Sequence, residues 1–435
     1  MTALAIHGGP IIRRSAFPVR RTMGETETRA VLDVMNSDHL SGFFGSPGPQ
    51  WLGGPKVREL ERKWAENYGF QYAISFNSWT TGLMTAVGSI GIGPGDEVIV
   101  SPYTMSASAT AILFYGGIPI FADIDPNTFN LTADSIERRL SPRTKAIMVV
   151  HIFGQAADMD PIMDLARRHD LKVIEDAAQA PGVRYKGRPV GAIGHIGGFS
   201  LNYHKHIHTG EGGMLVTNDS ELALRAQLIR NHGENLVEAQ QVEDLTNLLG
   251  ANYRLTELQA AIGTAQLDRL EGYLQTRRRL AAYLGDRLAQ IPGLTPAAII
   301  DSASHAYYAY PVKYEAQVTG ISRRLFVQAV NAELPPPVTW EQTGWIEAYI
   351  KPLYLLPLYQ KKIAIGGKGF PWTMNPSVIY DYGKGLCPVA ERMYEQELIY
   401  TPLVREPLEE SDMDDFIAAI NKVLMHREAL QGSRN

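Results

Sequence analysis

In the run NYHKHIHTGEGG (residues 202–213) one lysine, Lys205, is framed by three histidines and followed by a glycine-rich turn. A lysine in water is a solvated cation. One that is partly buried gives up its proton more readily and becomes a nucleophile able to condense with an aldehyde. The stretch around Lys205 is poor in other charges, and three further groups give it a chemical context. Asp176 closes the apolar run of KVIEDAAQA, where a carboxylate either caps a helix or holds a heteroaromatic nitrogen in its protonated form. FNSWTTGL sets Thr80 and Thr81 where a strand gives way to a helix, a place for an N-cap or an anion. Ser200, at the end of GGFS, is either a turn serine or a further anion donor.

Together these residues supply an anion cradle, a carboxylate for a ring nitrogen and an amine for an aldehyde. Those are the three handles of pyridoxal 5′-phosphate, whose ring serves as an electron sink. His204, His206 and His208 alternate, so on an extended segment they would share one face as metal ligands do. No carboxylate at ligand spacing accompanies them and the lysine cation stands between them, so no metal is expected. The triplet Arg277–Arg279 would attract a nucleotide diphosphate, or it is the solvated face of a long helix; the second reading is expected. Cys387 reads as a small packed side chain.

The elements that position these groups follow from periodicity. Short apolar runs (YAISF, DEVIVSP, PIFADI, AIMVVHI, KVIEDA, GGMLVTND) alternate with helical segments, the pattern of parallel strands joined by crossover helices. In such sheets ligands lie beyond the carboxyl ends of the strands, where Asp176 and Ser200 fall. The expected organisation is an N-terminal arm (1–30) and a large α/β domain (31–270). A linking helix and a smaller C-terminal α+β domain (271–435) follow, with one long helix from TELQAAIG to RLAQI and a strand at HAYYAYPVKYE. A net charge of −5 and a pI near 6.1 offer no field for nucleic acid or an anionic membrane. One cysteine excludes an intrachain disulfide and an iron–sulfur site. The first residues lack the apolar core of a signal peptide and no window has the length of a membrane span, so a cytoplasmic protein is expected.

The phrases GIGPGDEVIVSPYT, GGIPIFADIDPNTFNL, SPRTKAIMVVHIFGQAADMD, VIEDAAQAPGVRYKGRPVGAIGHIGGFSLNYHKHIHTGEGGMLVTND and GANYRLTELQAAIGTAQL carry a resemblance. They resemble the DegT/DnrJ/EryC1/StrS family of sugar aminotransferases, within the fold-type-I pyridoxal phosphate enzymes. The resemblance runs from about residue 55 to 270 and implies a role for each matching position. Lys205 would form the internal aldimine and shuttle a proton, and Asp176 would pair with the pyridine nitrogen. Gln179 would lie against the ring face or the phenolic oxygen, and Thr80, Thr81 and Ser200 would bind the phosphate. Asn252 would reach the phosphate of a neighbouring subunit, since the resemblance implies a homodimer with shared active sites. An aromatic residue commonly stacks on the ring where this chain has Met105. A glycine commonly precedes the first threonine of the cradle where it has Trp79.

The activity so implied moves an amino group from an amino acid, L-glutamate or L-glutamine, through a pyridoxamine phosphate intermediate to a keto-sugar or keto-cyclitol. The acceptor is either nucleotide-linked or free. Lys205 argues against the histidine-bearing relatives that act as dehydratases. A non-catalytic, cofactor-bound regulatory protein and another pyridoxal phosphate reaction on the same fold are the competing readings. SGFFGSPGPQWLGG (41–54) is expected to cover the mouth of the site, and residues 42–54 and 340–385 to choose the acceptor.

Overall fold

The computed structural model describes residues 3–339 and 343–431; Trp340, Glu341 and Gln342, part of the segment expected to choose the acceptor, lie outside them. The apolar runs become strands β1 (Tyr72–Phe76), β2 (Glu97–Val100), β3 (Ile118–Phe121), β4 (Thr144–Val150) and β5 (Lys172–Asp176). A small hairpin of β6 (Arg184–Tyr185) and β7 (Arg188–Pro189) precedes β8 (Ile196–Ser200) and β9 (Gly213–Thr217). The sheet order is β1-β9-β8-β5-β4-β2-β3. β9 runs antiparallel to both of its neighbours, and the pairs β8–β5, β5–β4, β4–β2 and β2–β3 are parallel.

Side chains alternate across this sheet with period two and so feed two cores. Ile74, Val98, Val100, Met148 and Ile174 enter one core. Ile99, Ile147, Val149 and Val173 enter the other. Burial on both faces is why these runs are apolar throughout rather than alternating with polar residues. The helices are α1 (Glu25–Ser37), α2 (Pro55–Tyr68), α3 (Trp79–Ser89), α4 (Ala107–Phe114), α5 (Ala133–Glu137), α6 (Met159–Arg168), α7 (Ser220–Arg230), α8 (Glu257–Leu267) and α9 (Leu270–Leu288). The single long helix expected after residue 255 is in fact two, α8 and α9, separated at Asp268 and Arg269. Thr256 and Gln259 cap α8 reciprocally: the Thr256 hydroxyl accepts from Gln259 N at 3.3 Å and the Gln259 side chain accepts from Thr256 N at 3.2 Å.

A second, four-stranded antiparallel sheet follows, β10 (Leu294–Pro296), β11 (Tyr310–Tyr314), β12 (Ile346–Glu347) and β13 (Leu398–Thr401), in the order β10-β11-β13-β12. Helices Arg323–Ala332 and Glu410–Met425 cover it through Phe326, Val330, Phe416 and Ile420. The strand expected over residues 305–315 is confined to β11. Residues 306–308 instead run along the large domain, with Ala306 N donating to Gly154 O and Tyr308 N to Phe153 O. Residues 42–54 pack through Trp51 on Leu228, Ile229, Leu236 and Leu248 at the end of α7. Among the described residues no helix is long and apolar enough to cross a membrane.

Glu175, fully buried one residue before the predicted site carboxylate, shows how the fold holds the strand ends in place. Its Oε2 accepts from Gly191 N at 2.7 Å and lies 2.9 Å from His151 Nε2, and its Oε1 accepts from Gly194 N at 2.5 Å. Removing the acceptor strands buried donors in the turn that leads into β8. Glu175→Ala is therefore expected to lower unfolding free energy by about 3 kcal/mol, and Glu175→Gln, which keeps one acceptor oxygen, by clearly less. Denaturant midpoints of the two variants check this; an unchanged midpoint for the alanine variant would contradict it.

Candidate active site

The carboxyl ends of β1, β4, β5 and β8 open on one cavity. Its wall includes Ser78, Trp79 and Thr80 from the start of α3, Met105 before α4, and Asp176 and Gln179 after β5. Ser200 and Lys205 after β8, together with His204, complete it.

Ser78 N-caps α3, its hydroxyl accepting from Thr81 N at 3.1 Å. That geometry holds Thr81 against the helix start: its Oγ1 lies 2.8 Å from both Asn77 Oδ1 and Ser78 O. Thr81, expected in the anion cradle, is therefore spent on the helix start and does not line the cavity. Ser78 takes its place beside Thr80, and the N-cap rule applied strictly would have picked the serine. Ser200 lines the same cavity, its hydroxyl accepting from Asn202 N at 3.3 Å. Hydroxyls beside the first turn of a helix, where the leading N–H groups have no intrahelical acceptor, make an anion site.

Asp176 is 5 % exposed, and both of its oxygens are engaged. Oδ1 accepts from the Trp79 indole N–H at 2.9 Å and from Ala178 N at 3.2 Å, and Oδ2 accepts from the Ser108 hydroxyl at 2.7 Å. Neither Trp79 nor Ser108 was singled out from the sequence as a partner of this carboxylate. Gln179 is pinned at both ends of its amide, accepting from Phe153 N at 2.6 Å and donating to the Tyr349 hydroxyl at 2.8 Å. Met105 lines the cavity but is 57 % exposed, so it forms part of the rim. Asn252 is exposed and stands outside this chain's own cavity, near β1, where its carbonyl accepts from the Asn77 amide at 3.4 Å.

Lys205 is buried, and burial pulls its ammonium down to about pH 8 against the partial support of the Asp176 charge. Its Nζ lies 4.4 Å from the centroid of the Tyr308 ring, a residue 103 positions along the chain with no local signal to reveal it. The loop that carries Lys205 is tied from below. Arg20 donates through Nη1 to Lys205 O at 3.0 Å and through Nη2 to His206 O at 2.5 Å, while its Nε meets Glu406 Oε1 at 2.8 Å.

The three histidines do not share a face, because the loop is a series of turns and not a strand. His204 borders the cavity, and burial with the charges of Lys205, Arg20 and His208 holds its imidazole down to about 4. His206 is buried, with Nε2 2.9 Å from Ala306 O, and His208 Nε2 meets the Thr22 hydroxyl at 2.6 Å. Among the described residues no cluster of potential metal ligands exists.

The solvated face expected of Arg277–Arg279 holds for Arg279, which pairs with Glu410 at 2.7 Å. Arg277 is 2 % exposed and turned into the protein. It donates to Tyr307 O at 2.8 Å and lies 3.3 Å from the Glu406 carboxylate it shares with Arg20. Burial pulls its guanidinium down to about 10 against the support of Glu406, and the charges of Arg20 and Arg405 add to the fall. Arg277 and Arg405 line a small recess with Tyr308, Tyr349 and Tyr400, and His204 belongs to both this recess and the main cavity.

Comparison with known proteins adds to this geometry. A family model described as the DegT/DnrJ/EryC1/StrS aminotransferase family matches residues 27–377. The GDP-perosamine synthase of Caulobacter vibrioides is 43% identical over 258 residues, 59% of this chain and 68% of that protein. The L-glutamine:2-deoxy-scyllo-inosose aminotransferase of Streptomyces fradiae is 34% identical over 438 residues, 98% of each chain. Among solved structures, DesI crystallised with its TDP-sugar product superposes with a TM-score of 0.80 at 26% identity, covering 99% of this chain and 98% of that one.

The lowered proton affinity of Lys205 has a direct consequence. In the cofactor-free protein, competitive labelling followed by peptide mass spectrometry should show Lys205 becoming reactive with a midpoint near pH 8. Solvated lysines should follow the ordinary lysine value of about 10.4. Because the Asp176 charge favours the ammonium, Asp176→Asn should move that midpoint lower still. A midpoint above 10 in the unmodified chain would contradict the burial argument.

Proposed function

The chain belongs to the DegT/DnrJ/EryC1/StrS aminotransferase family, and from that premise we propose that it moves an amino group from L-glutamate or L-glutamine to a ketone on a sugar or cyclitol, with Lys205 and Asp176 as the working pair. Enzymes of this family use pyridoxal phosphate. The residues here fit that group: an anion cradle, a carboxylate and a low-pKa amine line one cavity. That convergence is the observation that carries the proposal. A metal, by contrast, has no cluster of ligands among the described residues.

When bound, the cofactor supplies an aldehyde and an electron-accepting ring. Ser78, Thr80 and Ser200, with the first turn of α3, would hold its phosphate. Asp176 would face the ring nitrogen, and the pinned amide of Gln179 would fix the ring's tilt. Met105 stands at the rim where relatives place an aromatic, and a polarisable thioether there can still contact a ring. Lys205 Nζ would serve as general acid and base, taking a proton from the donor's α-carbon and giving one back. An amine poised near pH 8 does both near neutrality.

The recess beside the amine suits the donor. Arg277 and Arg405 offer guanidinium groups to a carboxylate, in a wall that also holds His204 and three tyrosines. A sugar or cyclitol acceptor carries no carboxylate to compete there. A relative that covers 98% of this chain has L-glutamine in its name, which supports that donor. Asn252, outside its own cavity, would reach the cofactor phosphate of a second subunit in a homodimer.

Three measurements test the proposal. Lys205→Ala should still bind cofactor while turnover falls by about 10⁴-fold or more. In the unmodified enzyme L-glutamine should abolish the near-visible cofactor absorbance and a suitable keto-cyclitol or keto-sugar should restore it. Retained turnover in the variant, or absorbance that no amino acid changes, would refute it. Arg405→Gln should raise the KM for the donor by about tenfold or more while leaving the KM for the acceptor within about twofold.

A further inference from the structure

The structure shows a slot shaped around Trp79. The indole is 4 % exposed and lies between α3 and β8. A Cβ placed on Gly82, the fourth residue of α3, would come within 2.5 Å of the indole Cε3. A Cβ on Gly198, in β8, would come within 2.5 Å of Cζ3 and 2.6 Å of Cη2. A glycine inside a helix costs about 1 kcal/mol relative to alanine, so its presence at Gly82 needs a reason, and the ring crossing it provides one. Gly82 clears the path along which the indole reaches the site. At Gly198 a side chain would meet the Met214 carbonyl of β9 even before the indole, so that glycine serves the strand pairing as well as the ring.

At the end of that path the indole N–H meets Asp176 Oδ1 at 2.9 Å. Ser108 approaches Oδ2 from α4 at 2.7 Å, and the Ser108 hydroxyl is itself 3.2 Å from Thr104 Oγ1. The carboxylate is thus gripped from both sides by side chains of two different helices, besides the Ala178 amide. Left to rotate, it would lose an orientation that a planar ring nitrogen requires; held, it presents one lone-pair direction to the cavity.

We propose that Trp79 and Ser108 are positioning residues that clamp Asp176 in the single orientation able to meet the cofactor's ring nitrogen. This rests on the reading of Asp176 given above. The clamp acts only through that nitrogen. Its loss therefore weakens a ligand that carries the nitrogen and spares one that does not.

The experiment compares equilibrium binding of pyridoxal 5′-phosphate with that of its carbocyclic analogue, in which C–H replaces the ring nitrogen. The proteins are the full chain, Trp79→Phe and Ser108→Ala. Phenylalanine keeps an aromatic ring in the slot and removes the donor. The unmodified chain should prefer the natural cofactor. Trp79→Phe should lose about tenfold in affinity for it and stay within about twofold for the analogue, with Ser108→Ala changing in the same sense. Equal weakening of both ligands would reduce Trp79 to a packing residue and overturn the clamp, as would full retention of the preference. Should Trp79→Phe fail to fold, Ser108→Ala decides by the same two criteria. An unmodified chain that binds both ligands equally would refute the role of Asp176 itself, a result distinct from failure of the clamp.

Discussion

Everything in this structure that bears on chemistry follows from keeping a lysine amine out of water. An ammonium resists burial, and the fold meets that resistance with a single nearby carboxylate, Asp176, too little to hold the proton at its ordinary value. The result is an amine that changes protonation near neutrality. The sheet makes the arrangement possible, because parallel strands end together. Asp176 closes β5 and Ser200 closes β8, and the turn after β8 brings Lys205 to the same opening.

The backbone around that amine is held by parts of the chain remote in sequence. Arg20 of the N-terminal arm bonds the carbonyls of Lys205 and His206 and reaches Glu406 beyond β13. Glu406 also meets Arg277 of α9, so one carboxylate joins the arm, the linking helix and the small domain beneath the lysine loop. Tyr308 and Tyr349 bring that domain against Lys205 and Gln179. The smaller domain packed this way supplies most of the wall of the recess that adjoins the site.

The sequence made the ends of β1 to β5 legible, and with them Asp176, because apolar runs bounded by polar residues report directly on a buried parallel sheet. β8, which ends at Ser200 and leads to Lys205, was not among those runs, and these two residues stood out by type and resemblance. It was less informative wherever a side chain's direction depended on tertiary neighbours. Thr80 and Thr81 look alike in the sequence, yet Ser78 takes the capping position and turns one of them away. Arg277, Arg278 and Arg279 are indistinguishable as a triplet; only the packing of α9 against residues 305–307 and Glu406 separates a buried cation from a solvated one. The alternating histidines suggested a shared face because an extended backbone was assumed, and the turns of the loop send each elsewhere. Trp79 was visible as a departure from its relatives, but its bond to Asp176 depends on two glycines, one of them over 100 residues away.

The central claim is that one amine, Lys205, forms the covalent link to the cofactor. Reduction of the cofactor-loaded protein with borohydride, followed by peptide mapping, addresses it most directly. The account predicts a single pyridoxyl label on the peptide that spans residues 202–213, carried by Lys205. A label on another lysine, or none, would contradict it.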